Sequence, residues 1–507
     1  MFAKTMSMGL VGINGFPVTV EADLSQGLPG FDVVGLPDTA VRESRDRVRA
    51  AIKNNGLDYP ACRITVNLAP ADVKKEGSVY DLPLFLAILR AAGQLKVDLE
   101  AKAFLGELSL TGELRRVRGV LPMVIAARDA GIKQVFLPAE NAAEGGVVDG
   151  ITVYPAAHVQ QILTHLIGGE QIDPATPPPA VETAESLLDF ADVMGQQTAR
   201  RALEIAAAGM HNVLLIGPPG SGKSMLAKRL PSIIPDMTAE EALETTKIHS
   251  VAGVLPGDVG LLRTRPFRAP HHNISGPGLT GGGTIPRAGE VSLAHNGVLF
   301  LDELPEFSRT AMESLRQPLE DGKVTISRVN ASIQYPCSFM LVAAMNPCPC
   351  GFFGHPTRTC TCSPQAVSKY LSRISGPLLD RIDLHIEVPP VEFDELSAKQ
   401  KSESSAEMRK RVQAARDIQT RRFAGTNIHT NSQIPSDRIK TDCALTDDAT
   451  AMLKTAFEKM GLSARAYDRL LKVSRTIADL DGSEQIDLPH VAEAVQYRGL
   501  DRKYWQT

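Results

Sequence analysis

The sequence predicts an α/β chain in three parts: a mixed α/β domain, a core in which a strand enters a glycine-rich loop and leaves as a helix, and a helical C-terminal region. Three observations predict it. The apolar run Val213-Leu214-Leu215-Ile216 passes into Gly217-Pro218-Pro219-Gly220-Ser221-Gly222-Lys223-Ser224 and then into Met225-Leu226-Ala227-Lys228-Arg229-Leu230. The run Asp173-Pro174-Ala175-Thr176-Pro177-Pro178-Pro179-Ala180 excludes helix interior and sheet pairing and favours an extended spacer. From about residue 395 onward the helical period dominates.

Ahead of the spacer, 44–54 reads as a helix, 64–68 as a strand, and 82–89 and 121–130 as apolar helices, the make-up of a mixed α/β domain. Behind it, 187–196 leads into a helix over 199–208. Helical patterns at 406–423, 447–460, 464–480 and 489–497 form a C-terminal lid. The expected boundaries are 1–168 for the first domain, 169–186 for the linker, 187–394 for the core and 395–507 for the lid.

Composition narrows the class. With 507 residues, 43% hydrophobic and 22% charged, the chain resembles an ordinary soluble protein of two to four domains. No run of some eighteen apolar residues exists, and the first residues lack the apolar stretch and cleavage site of a secretory signal. A cytoplasmic location without membrane attachment is expected. The net charge of -4 gives no whole-molecule attraction for nucleic acid, so any polyanion must be gripped by local basic loops.

The loop from Gly217 through Pro218, Pro219, Gly220, Ser221 and Gly222 to Lys223 and Ser224 fits the GxxxxGK[ST] pattern in its proper strand-to-helix setting. Glycines let consecutive N–H groups turn inward around a phosphate, and the helix start adds partial positive charge. Lys223 reaches the β- and γ-phosphates, and the Ser224 hydroxyl ligates Mg2+. ATP and Mg2+ are the expected cofactors. About eighty residues on, Val298-Leu299-Phe300-Leu301-Asp302-Glu303 is an apolar strand ending in paired carboxylates. Asp302 would hold Mg2+ through its water shell and Glu303 would polarise the attacking water. A buried strand ending in a solvated acidic turn is the bland alternative, and it loses force beside the glycine loop.

Further residues suit a ring ATPase. The strand 339–345 ends in Asn346, placed to orient the lytic water, although an Asn there also serves as a turn residue or cap. Arg381 stands at the end of a helix before the strand Leu384-His385-Ile386, where it could reach a neighbouring subunit's site, or else pair with Asp380 or Asp383.

These motifs resemble the magnesium-chelatase-like branch of AAA+ ATPases, and specifically the YifB/ComM family. The resemblance spans essentially the whole chain and is most specific at Arg265-Pro266-Phe267-Arg268-Ala269-Pro270-His271-His272, at Asn346-Pro347-Cys348-Pro349-Cys350-Gly351, and at 370–383. It implies an AAA+ P-loop core with a helical lid. It assigns Asn346 as sensor 1, Arg381 as an arginine finger acting in trans, and Arg465 as sensor 2 of the lid. It also implies a homo-hexameric ring, with DNA and recombination proteins as partners. For the ComM members it implies a helicase that drives branch migration when incoming single-stranded DNA is recombined in natural transformation.

Two segments would meet DNA. Between 263 and 290 stand Arg263, Arg265, Arg268 and Arg287 against Glu290, with a flexible glycine stretch at 278–283; the segment resembles the pore-lining helix-2 insert of related rings. The stretch 323–333 alternates like a hairpin, carries Lys323 and Arg328, and resembles the pre-sensor-1 hairpin of that clade. Solvated basic loops are the plainer reading of either segment alone. His271 and His272 have no carboxylate or cysteine close in sequence, and a structural role is expected.

The first 165 or so residues resemble the Lon protease fold, a ribosomal S5 domain 2-like α/β fold, through Lys75-Glu76-Gly77-Ser78-Val79-Tyr80-Asp81 and 110–132. Proteolysis there needs a serine with a lysine base, yet Val79 and Leu121 fall on those two positions. Ser78 is one residue off, and Lys74 or Lys75 is a poor base without burial.

Cys348, Cys350, Cys360 and Cys362 form two C-x-C pairs nine residues apart, with His355 between them. Two readings stand: a closed structural zinc shell, or four unliganded thiols packed in a loop. Cys62, Cys337 and Cys443 suit small core positions. Functionally, a DNA-translocating ring leads. A magnesium-chelatase-type ATPase subunit and a non-catalytic protease regulator are the alternatives.

Overall fold

A computed structural model of the chain describes residues 1–177, 188–283, 287–328, 331–390 and 402–505; the side chains of Arg328, Ala331 and 501–503 lie outside this description. The chain folds as two compact units, Met1–Glu182 with Ala239–Leu262, and Thr183–Thr238 with Arg263–Thr507.

In the first unit a seven-stranded mixed sheet runs in the order Gly30–Val34, Arg63–Ala69, Asn14–Ser25, Phe2–Val11, Lys102–Phe104, Gln134–Pro138, Thr152–Ala156. The hairpin Phe2–Val11/Asn14–Ser25 and the pairing of Asn14–Ser25 with Arg63–Ala69 are antiparallel, and the rest parallel. Alternation decides the faces: Ile64, Val66 and Leu68 are buried while their neighbours are half-exposed or exposed. The predicted helices appear as Thr39–Asn54, Asp81–Ala91 and Val120–Asp129. The first begins earlier than its apolar period because the Asp38 side chain accepts from Val41 N at 2.8 Å and caps it. Asp81–Ala91 is buried nearly all round, as its unbroken apolar sequence requires.

The helix Ala239–Ala252, which follows the glycine loop in sequence, packs within this first unit. Gly119 N donates to Ser250 O at 3.1 Å, and the Ser250 hydroxyl donates to Glu144, a buried carboxylate that also accepts from Leu121 N. The proline-rich segment begins bound rather than free: Ala175 N donates to Val153 O at 2.8 Å, the bond a further strand residue would make. Its remainder, 178–187, lies outside the described residues.

The second unit is built on a five-stranded, wholly parallel sheet in the order Phe267–Arg268, Val298–Leu301, Met340–Met345, Val213–Ile216, Leu384–Glu387. Parallel strands are covered on both faces, so Val213–Ile216, Val298–Leu301 and Met340–Met345 are buried at every position, which is why they read as continuous apolar runs. The lid helices are Ser405–Arg422, Asp447–Met460, Ala464–Leu480 and Leu488–Gln496, within a residue or two of the predicted spans. Ser404 and Glu407 close a capping box at the first of them. Residues 391–401, which span the predicted boundary between core and lid, are outside the described residues.

Lid and sheet share one apolar core, in which Leu470, Val473 and Ile477 join Val213, Leu215 and Leu384. A polar network runs beside it. Buried His211 meets Asp383 Oδ2 at 3.3 Å through Nδ1 and Thr476 Oγ1 at 2.7 Å through Nε2. Arg469 donates to Asp383 Oδ1 at 3.1 Å. Burial pushes the Asp383 carboxyl up, but Arg469 and His211 outweigh it and hold the group well below the usual carboxylate range.

Candidate nucleotide site and cysteine cluster

The parallel sheet delivers three strand tips to one edge, where open α/β sheets bind ligands. Val213–Ile216 ends in the glycine loop, Val298–Leu301 in Asp302 and Glu303, and Met340–Met345 in Asn346. Gly220 and Gly222 adopt φ values of 79° and 90°, the left-handed region that a side chain disfavours, so the loop can turn its amides inward. Lys223 is buried, which lowers its pKa. Its ammonium donates to Gly217 O at 2.7 Å, Pro218 O at 2.9 Å and Asn346 Oδ1 at 3.3 Å. Ser224 Oγ donates to Asp302 Oδ2 at 2.6 Å.

The residues given to phosphate, Mg2+ and the lytic water thus converge from segments 78 and 123 residues apart. The donor set suits Mg2+ in the presence of a nucleotide: one hydroxyl and one carboxylate, leaving other positions to phosphate and water. Ser221 is buried with no hydrogen-bond partner for its hydroxyl, in the centre of the loop.

Glu303 sits at φ 53°, a left-handed strain uncommon for a residue with a side chain, and is exposed. Its Oε2 lies 3.6 Å from His272 Nδ1. Sequence reasoning found no carboxylate near the histidine pair because the partner comes from another strand; parallel pairing of Phe267–Arg268 with Val298–Leu301 brings the two strand ends together.

Arg381 lies just past the short helix Gly376–Leu379 and is 6% exposed. Its partner is neither Asp380 nor Asp383. It donates to Glu320 and, at 2.7 Å, to Pro377 O. Arg465, exposed at the start of Ala464–Leu480, has NH2 3.8 Å from the other oxygen of Glu320. Glu320 and Arg469 carried no signal in the sequence, and Asp383 was offered only as a partner for Arg381, since each matters through a partner more than sixty residues away.

Of the basic segments, Arg268 is paired to Glu290 at 2.7 and 2.9 Å, and Arg265 donates to the carbonyls of Pro235 and Asn296. Both are committed to the fold, while Arg263 and Arg287 are exposed. The predicted hairpin is Lys323–Arg328 paired antiparallel with Ala331–Pro336. Val324, Ile326 and Tyr335 are buried and Lys323 is exposed at the hairpin root. Arg328 holds the last paired position, opposite Ala331, and the turn at 329–330 is outside the described residues.

Beside the glycine loop, the Sγ atoms of Cys348, Cys350, Cys360 and Cys362 all lie within 4.8 Å of one another. The sulphurs stand 3.4 Å apart for Cys348–Cys350, 3.7 Å for Cys348–Cys360 and 3.5 Å for Cys350–Cys360. Tetrahedral zinc–thiolate bonds place sulphurs about 3.8 Å apart, so the set fits a closed zinc shell. Amides also aim at the sulphurs: Phe353 N reaches Cys348 Sγ at 3.3 Å, and N–H donors from Phe352 and Thr361 bring the Cys350 thiol down to about 5. His355 stays out of the cluster and accepts from Thr357 N at 3.1 Å. The loop leans on the nucleotide loop, for a Cβ on Gly351 would stand 2.5 Å from Pro219 Cδ.

In the first unit, Val79 and Leu121, the two residues set against a peptidase's serine and lysine on sequence, are buried apolar side chains. Ser78 Oγ donates to Glu107, and Lys75 is fully buried with its ammonium on Val73 O at 2.7 Å, which lowers its pKa by desolvation.

Residues 189–396 match the family model described as magnesium chelatase, subunit ChlI; residues 20–141 match that for subunit ChlI of Mg-chelatase, and 402–498 that for the ChlI C-terminal region. The chain is 48% identical over 509 aligned positions to competence protein ComM of Haemophilus influenzae, covering 99% of this chain and 98% of that protein. It is 46% identical to YifB of Escherichia coli over 97% of this chain and 96% of the relative. A Lon protease of Mycolicibacterium smegmatis is 28% identical over 31% of this chain and 21% of its own length. With a P-loop, its acidic strand end and a helical lid in one α/β framework, and with near-full-length identity to ComM and YifB, the chain belongs to the YifB/ComM family of magnesium-chelatase-like AAA+ ATPases.

Proposed function

We propose that this protein is an ATP-driven, hexameric DNA motor of the cytoplasm that moves branch points while incoming DNA is recombined in natural transformation. The observation that carries the reading is full-length identity of 48% to a competence protein, together with the meeting of Lys223 with Asn346 and of Ser224 with Asp302 at one sheet edge. Lys223 and the amides of 217–222 bind the phosphates of ATP. Ser224 and Asp302 are the residues that would hold Mg2+, which when bound would neutralise phosphate charge. Glu303 takes a proton from the attacking water, and Asn346 orients that water. Arg381 of one copy and Arg465 of the lid balance the charge developing on the transferred phosphoryl group, which makes turnover depend on ring assembly. Arg287, Lys323 and Arg328 supply phosphate contacts to DNA.

The four cysteines would hold one structural zinc ion, which would fasten the loop between Asn346 and the segment bearing Arg381. Metal analysis should find about one zinc per chain, a ratio set by one four-cysteine shell.

A second reading, an ATPase subunit for metal insertion into a macrocycle, is favoured by the descriptions of the matching family models. Steady-state ATP turnover with and without single-stranded or branched DNA separates the two. A motor on DNA is stimulated; turnover indifferent to every nucleic acid defeats the leading reading and leaves the second.

A further inference from the structure

One carboxylate in the second unit holds two of the arginines just described. Glu320 accepts from Arg381 through Oε2 and lies 3.8 Å from Arg465 NH2 through Oε1. Arg381 is tied down twice: its other terminal nitrogen donates to Pro377 O, and its buried Nε has no partner. An arginine so held cannot extend to a phosphate on another copy without leaving Glu320. The bond to Arg381, and the charges of Arg381, Arg465 and Arg469, hold the Glu320 carboxyl below its ordinary range, so it is anionic whenever the enzyme works.

The position of Glu320 connects this clamp to the DNA hairpin. It lies in the last turn of the helix Arg316–Asp321, and Gly322, at φ 63°, ends that helix with its N–H on Pro318 O. Lys323–Arg328 starts at the next residue. The returning strand Ala331–Pro336 closes against the same point, where Cys337 N donates to Gly322 O at 2.8 Å. From there the chain enters Met340–Met345 and reaches Asn346. A pull on the hairpin is therefore delivered to Gly322, two residues from the carboxylate.

We propose that Glu320 is a restraining, positioning residue: its carboxylate withholds Arg381 and Arg465 from the nucleotide, and displacement of the hairpin 323–336 by bound DNA opens the clamp. This rests on the reading of Arg381 as a residue that completes a neighbouring copy's site. It supplies the physical link by which DNA raises ATP turnover.

The test compares full-length wild type with Glu320→Gln, Glu320→Asp and Glu320→Gln/Arg381→Ala, each confirmed folded by its thermal transition. Glu320→Gln keeps shape but drops the charge; its DNA-free kcat should rise by about three- to tenfold, the range expected for loss of one charge-assisted contact, with KM for ATP unchanged. DNA stimulation should shrink by the same factor. Glu320→Asp, with its charge drawn back by one methylene, should rise by less. The double variant should fall below wild type, because Arg381 itself is lost and the gain from freeing it cannot appear. An unchanged or lower DNA-free kcat in both single variants overturns the clamp, and a rise with undiminished stimulation by DNA overturns its link to the hairpin. Wild-type turnover indifferent to DNA sinks the motor reading instead, and the DNA-free comparison still decides the clamp.

Discussion

Lys223 and Glu303 are proposed for different work at the nucleotide site, and substitution separates them. Lys223→Ala removes the phosphate-facing charge and should abolish ATP binding by calorimetry; retained affinity contradicts its role. Glu303→Gln should bind ATP normally yet lose at least about a hundredfold in kcat, the contribution of a positioned base. Asp383 has no part in chemistry but holds lid to sheet. Asp383→Asn leaves Arg469 and His211 facing a neutral group and should cost about 3 kcal/mol in urea unfolding at pH 7. Because the folded pKa is depressed, the ionised carboxylate stabilises the protein fully above about pH 4. That contribution drains as pH falls further, so the gap between wild type and Asp383→Asn should narrow below that point. These residues differ in legibility. Lys223, Glu303 and Asn346 sit at motif positions, whereas Asp383 was one of two carboxylates near Arg381 and its partners lie 86 and 172 residues away.

At the scale of elements, the cysteine loop and the hairpin each make a separate demand. Gly351 has φ 84° and a Cβ there would strike Pro219, so Gly351→Ala should push the two loops apart. ATP should bind more weakly while zinc content stays near one per chain; unchanged ATP affinity would show that the loops move independently. In the hairpin, replacing Lys323 and Arg328 together should lower the slope of log K against log salt by about 1.5, since two phosphate contacts disappear. An unchanged slope would place DNA elsewhere. The hairpin was legible because its alternation is real, with Val324 and Ile326 facing inward. The arginine-rich stretch before it was less so: charge in a sequence does not reveal whether a guanidinium is already spent, as Arg265 and Arg268 are.

For the whole molecule, a site completed by Arg381 from another copy predicts that assembly and catalysis rise together. Sedimentation with ATP should show a hexamer at protein concentrations where turnover per chain reaches its plateau, and full turnover by single copies would exclude action in trans. The unbroken apolar strands, the glycine loop and the long lid helices were all readable, because each depends on residues contiguous in the chain. The placement of Ala239–Leu262 with the first unit was not, since its weakly patterned sequence, with Thr245, Thr246 and His249 among the buried residues, does not say which core it joins.

By itself the sequence determined the class of machine: backbone freedom at Gly220 and Gly222, a lysine and hydroxyl after them, and carboxylates at a strand end are local requirements that local residues meet. Only the tertiary structure decided which charges answer one another. Glu320 on Arg381, His272 beside Glu303 and four sulphurs within reach of one ion join groups distant along the chain, and such meetings are set by packing, which no short stretch encodes.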